Sequence, residues 1–138
     1  MKSLNISIVF LAVILPKMAF AQLPAKLTES SEMYIKTENN YLAGLESGVP
    51  GLKVSAAYFL GEMKSEKALF PLMKMFREAN NYGARLVAAW ALLKIGDKRG
   101  VFLVKRYIQL GNCDDIRCML QQMYLDYSLK TYGKLVYN

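Results

Sequence analysis

Four cations at regular spacing are the side chains best suited to bind a ligand. Lys67 and Lys74 are seven residues apart, and Arg99 and Arg106 occupy the same places thirty-two residues further on. A spacing of seven returns a side chain to nearly the same side of an α-helix. If both segments are helical, the four cations form two rows on an exposed face, an arrangement suited to an acidic partner.

Two leucines extend this stripe in the second segment. Leu103 and Leu110 fall on the side of the helix that carries the arginines, and apolar groups beside arginines are typical of interfaces. Two alternatives stay open: the cations are an ordinary solvated face, or the leucines are covered by a later part of the chain. The candidate binding residues are Lys67, Lys74, Arg99, Arg106, Leu103 and Leu110.

The composition argues against catalysis. The chain has 138 residues, a net charge of +7, two cysteines and no histidine. Without histidine, Ser-His-Asp, Cys-His and histidine–metal sites are excluded. The acid pairs Glu62 with Glu66 and Asp114 with Asp115 lie at turns, where acids commonly stabilise helix ends. We therefore expect no enzyme, no catalytic residue, no metal and no cofactor.

The N-terminus has the features of a signal peptide. Lys2 gives a positive start, residues 6–15 are almost all apolar, and small residues precede a cut after Ala21. The apolar run is shorter than the roughly 20 residues of a membrane span. We predict a signal peptide over 1–21 and a periplasmic or secreted domain over 22–138, with no stable membrane span and no nucleic-acid partner. An uncleaved anchor is the alternative.

Cys113 and Cys118 are separated by four residues and are predicted to form a disulfide. An exported protein meets an oxidising compartment, where such bonds form. The pairing requires Cys113 to lie in a loop, because the spacing is awkward within a regular helix. The Cys-x-x-Cys spacing of redox catalysts is absent, so the expected role is structural.

The middle of the chain repeats itself with a period of thirty-two residues. Such a period is typical of stacked helical repeats. Each unit is predicted to hold two helices, and Ser65 and Asp97 are expected to cap the second helix of their units. Identical residues pair Gly51 with Gly83, Ala56 and Ala57 with Ala88 and Ala89, Leu60 with Leu92, and Phe70 with Phe102.

The repeat divides the domain into four parts. Full units over 51–80 and 83–111 stand between a half-unit over 27–48 and a partial unit with a cap over 113–138. The last part is rich in tyrosine, which we expect to close the end of the stack. A homodimer through this C-terminus is the alternative use of its tyrosines, which are Tyr124, Tyr127, Tyr132 and Tyr137.

Residues 51–72 resemble the short HEAT-like repeat, the type also found in bilin lyases. The pattern is a basic residue, paired alanines, Leu-Gly, a polar turn and Ala-x-x-Pro-Leu. The copy that begins at Ala84 keeps the basic position, the alanines and a Gly-Asp turn, but has Leu103 in place of Pro71. Tetratricopeptide repeats, the rival at thirty-four residues, lack such adjacent alanine pairs. By this resemblance the chain is identified as an exported bacterial member of the HEAT-like family.

The resemblance implies an all-α fold, a short α-solenoid of about five or six helices that binds other proteins. No residue here supports carrying over the bilin-lyase activity of some members. The expected function is a non-enzymatic interaction or scaffold module of the cell envelope that binds an acidic partner on its second helices. The alternatives are binding of an anionic envelope component, such as a lipid headgroup or acidic polysaccharide, and a self-assembling structural subunit.

Overall fold

The computed structural model describes residues 30–110 and 115–133, and over these residues the chain is all-α, as predicted. Six helices lie in the described part of the chain, and a 3-10 turn over Glu66–Ala68 leads into the third. The predicted signal peptide lies outside the described residues, as do Cys113 and Tyr137. The helices are α1 (30–45), α2 (Pro50–Glu62), α3 (Leu69–Glu78), α4 (Tyr82–Ile95), α5 (Lys98–Leu110) and α6 (Asp115–Tyr132).

Two compact units make up the chain, over 1–37 and 38–138. The first is described only over 30–37, where it is helical. The second contains the rest of α1, the other five described helices and all of the buried apolar residues that the structure describes.

Polar side chains cap the starts of several helices. Asn81 caps α4 by accepting a hydrogen bond from the amide of Gly83, at 2.7 Å. The predicted cap at Asp97 is confirmed, because its Oδ1 accepts from the amide of Arg99 at 2.8 Å. Ser65 caps the 3-10 turn that leads into α3 rather than α3 itself, with Oγ accepting from the amide of Ala68 at 3.3 Å. Such bonds satisfy backbone donors that have no partner within the helix.

Helix α4 lies at the centre of the packing and contacts α2, α3, α5 and α6. It approaches α2 closely at the point where Gly61 faces Ala91. A Cβ atom added to Gly61 would lie 2.8 Å from both Cα and Cβ of Ala91, so the two backbones touch. Tyr58 of α2 stacks on Trp90 of α4 nearby, with ring centroids 4.8 Å apart. Small residues therefore let the first helices of the two predicted units pack closely.

Burial follows the thirty-two-residue period. The alanine pairs of α2 and α4 are completely buried, as are the equivalent residues Leu60 and Leu92. Leu72 of α3 and Val104 of α5 are also equivalent and completely buried. The backbone repeats as well, because Lys64 (φ 51°) and Gly96 (φ 76°) both adopt the left-handed conformation thirty-two residues apart.

Substitution of Gly61 by alanine tests the close approach of α2 and α4. We expect the free energy of unfolding to fall by about 1–3 kcal/mol, because the new methyl group meets the backbone of Ala91. Gly51→Ala, in the same helix, is the matched control, since nothing lies within 4 Å of a Cβ at Gly51. Urea unfolding followed by circular dichroism measures both variants. Equal stability of the two would contradict the packing described.

The left-handed residues at the two equivalent turns give a second test. A side chain in this conformation costs about 1–2 kcal/mol, which glycine avoids at an entropic cost of about 0.5–1 kcal/mol. We therefore expect Lys64→Gly to raise the free energy of unfolding by up to about 1 kcal/mol and Gly96→Ala to lower it by about 1 kcal/mol. Thermal and urea unfolding measure both. A loss of stability in Lys64→Gly would show that this turn is not strained as described.

Candidate functional site

A surface of cations and phenylalanines runs across the helices that follow the two caps. In each unit a cation is followed by phenylalanine three residues later and by a second cation four residues after that. Phe70 is 62% exposed and Phe102 is 60% exposed, and all four cations are exposed. We call these six residues the basic–aromatic face: Lys67, Phe70, Lys74, Arg99, Phe102 and Arg106.

Arg99 connects the two halves of this face. Its guanidinium carbon lies 5.0 Å from the ring centroid of Phe70, so α5 reaches across to α3. Asp97 holds the same guanidinium through two hydrogen bonds of 3.0 Å, donated by Nε and Nη2. The side-chain hydrogen bond from Arg99, helped by its backbone amide, lowers the pKa of the Asp97 carboxyl to about 2. The cap of α5 therefore also orients Arg99 over the ring of Phe70.

Lys67 is fixed by a buried carboxylate on α1. Its ammonium donates to Glu38 Oε2 at 2.7 Å, and Ser65 Oγ donates to Glu38 Oε1 at 2.6 Å. Glu38 is only 5% exposed. The hydrogen bond from Lys67, followed by that from Ser65, lowers the pKa of the Glu38 carboxyl against the opposing effect of burial. This cluster joins α1 to the turn before α3 and balances part of the charge of Lys67.

Positive charge dominates the second of the two helices. Helix α5 contains Lys98, Arg99, Lys105 and Arg106 and no acidic residue. Lys74 of α3 also lines a groove of about 430 Å³ between the end of α1, the start of α2 and the α3–α4 loop. Any ligand on the basic–aromatic face therefore meets exposed cations, two exposed rings and a neighbouring groove.

The two predicted leucines lie in different environments. Leu110 is exposed at the end of α5. The helical stripe predicts that Leu103 projects outward beside the arginines. In the structure Leu103 is instead half-buried and packs against the core. Sequence reasoning placed all four cations on exposed positions but missed Phe70 and Phe102 as surface residues. Their identity at a spacing of thirty-two, three residues after a cation, was the available signal.

The structure describes only part of the predicted disulfide. Cys118 is an exposed free cysteine on α6, whereas Cys113 lies outside the described residues, so their disulfide stays a prediction. Among the residues that the structure describes, no group of three or more side chains could hold a metal ion. None of the described helices is long and apolar enough to cross a membrane.

Comparison of the chain with models of protein families, with curated proteins and with solved structures found no match.

The Glu38 cluster predicts a pH-dependent part of the stability. Because folding lowers the pKa of Glu38, the stabilisation is complete above its ordinary value of 4.5 and is lost as the pH falls through the folded value. At pH 7 we expect Glu38→Gln to lower the free energy of unfolding by about 1.5–3 kcal/mol, the usual range for hydrogen bonds to a charged group.

Urea unfolding at pH 7 and pH 3 measures this contribution. The wild-type chain should lose more stability between these two pH values than Glu38→Gln. Glu66→Gln, which changes an exposed glutamate in the turn next to Ser65, should behave as the wild type. An identical loss of stability in the wild type and Glu38→Gln would contradict the role given to Glu38.

Proposed function

We propose that this chain is a non-enzymatic interaction module of the cell envelope, and that its basic–aromatic face binds an acidic protein partner. The observation that carries the proposal is the exposure of two phenylalanines at equivalent positions, each between two cations. Phe70 and Phe102 are about three-fifths exposed, although the core of the described structure buries many smaller apolar side chains.

The chemistry of the face favours a protein partner. Aromatic side chains and arginine are enriched among the residues that dominate binding energy at interfaces. Burying the two rings against a partner supplies a favourable term of roughly 25 cal/mol for each Å² of apolar surface covered. Lys74 and Arg106, both exposed, attract and orient acidic groups around these anchors.

We further propose that the helices form a short α-solenoid of HEAT-like hairpins. Two observations support it: α4 contacts both α2 and α6, and burial and turn conformation repeat at thirty-two residues. In such an architecture equivalent residues of successive units lie side by side, which accounts for the matched positions of Phe70 and Phe102. The envelope location rests on the predicted signal peptide over 1–21.

An anionic envelope component is the second candidate ligand. Helix α5 has four cations, no acid and an exposed Phe102 and Leu110, and a basic amphipathic helix of this kind also suits a surface of anionic lipid. Acidic polysaccharide offers the same charge without an apolar layer for the rings. The two candidates differ in what the phenylalanines contact.

Capture from an envelope extract tests the protein partner. The immobilised chain should retain a partner at low salt and still retain it at high salt, because the two rings anchor the contact. Phe70→Ser combined with Phe102→Ser should weaken binding at least tenfold, the effect expected when an interface anchor is truncated. The matched control is Tyr82→Ser, which removes a ring that is equally exposed, at 62%, at the start of α4.

Three results would contradict the proposal. The first is that the double phenylalanine variant and the wild type retain the same proteins equally well. The second is that Tyr82→Ser loses the partner as completely as the double variant. The third is that the chain retains no protein but binds phosphatidylglycerol vesicles, and not phosphatidylcholine vesicles, in a way that high salt abolishes. This last result would favour the anionic component, whose purely ionic contacts are screened by salt.

A further inference from the structure

One side of α6 is exposed, uncharged and regularly spaced. Its side chains follow each other at intervals of four, three, four and three residues, the spacing with which helices pair in coiled coils. Leu125 is 50% exposed, Leu129 is 70% exposed, and the other members are also exposed. We call this set the α6 seam, and its residues are Cys118, Gln122, Leu125, Leu129 and Tyr132.

The opposite side of α6 fixes the helix in the fold. Ile116 and Leu120 are almost completely buried in the core, and α6 contacts α4 and α5. The α6 seam therefore faces away from the helices that hold α6, and its orientation is set by the core.

The equivalent side of α4 is covered by other helices, whereas no described helix covers the α6 seam. Leu93 of α4 is thirty-two residues before Leu125 and is only 6% exposed, because α4 lies between other helices. In the part of the chain that the structure describes, no helix follows α6. Helix α6 also continues five residues beyond Tyr127, the equivalent of the last residue of α4, and this extension supplies Leu129 and Tyr132.

Charge distinguishes the α6 seam from the basic–aromatic face. The chain carries a net charge of +7, so two copies that approach through the basic–aromatic face repel each other. The five seam residues are all uncharged, and a surface that meets its own copy without repulsion suits a two-fold interface.

We infer that the α6 seam pairs with the same seam of a second copy of this chain, giving a two-fold dimer. The leucines of the two copies would interlock as in a coiled coil, with Gln122 as the polar position that limits register. This inference does not depend on the proposed function, since it uses another helix and needs no other partner. It differs from the alternative of a tyrosine-mediated dimer in its main contacts, which are Leu125 and Leu129. Tyr132 is common to both, whereas Tyr124 and Tyr127 are partly buried against the core.

Sedimentation equilibrium of the whole chain, as the expressing cell processes it, tests the inference. The measurement includes a reductant, so that dimers linked through Cys118 are not counted. We expect a concentration-dependent dimer that Leu125→Glu and Leu129→Glu each weaken at least tenfold. Leu129 is more exposed than Leu125, so Leu129→Glu is the variant expected to disturb the fold less. Circular dichroism checks that both variants are folded. Leu52→Glu is the matched control, because Leu52 of α2 is 49% exposed and lies outside the seam.

Three results would overturn the inference. A wild-type chain that stays monomeric at millimolar concentration would exclude the dimer. Equal loss of the dimer in Leu52→Glu would show that association does not depend on the seam. A chain that becomes dimeric only after residues 134–138 are deleted would identify the tail as the occupant of the seam.

Discussion

The close approach of α2 and α4 is the constraint on which the rest of the structure depends. Gly61 has no side chain, so α2 rests against the backbone of Ala91, and completely buried alanines line both helices. With this side of α4 occupied at short distance, its other sides remain for α3, α5 and α6. A larger side chain at the contact would separate the first helices and disturb every contact that α4 makes.

The same constraint builds the basic–aromatic face. In the solenoid that we propose, two units pack with their first helices in register, and the helices that follow them present equivalent residues, such as Phe70 and Phe102, on one side. Arg99 of α5 reaches the ring of Phe70 on α3. Two caps refine the arrangement, since Asp97 orients Arg99 and Ser65 binds the carboxylate that holds Lys67. On this proposal the face depends on the register of the two units rather than on any single helix.

Features encoded over short distances could be predicted from the sequence. The period of thirty-two, the all-α class, the caps Ser65 and Asp97 and the exposure of the cations all follow from spacing and local preference. The partner of Lys67 could not be predicted, because Glu38 is twenty-nine residues away and nothing local identifies it. Phe70 and Leu103 lie beside the apolar stripe of their helices, where only the neighbouring helices decide whether a side chain is covered.

The binding surface that we propose lies on the two helices that follow the caps, α3 and α5. Amide chemical shifts of the isotope-labelled chain, recorded as a captured acidic partner is added, test it most directly. We expect shifts that cluster on Leu69–Glu78 and Lys98–Leu110, with the largest changes around Phe70 and Phe102, and little change along α2. Shifts concentrated on α2 and α4, with α3 and α5 unchanged, would contradict it.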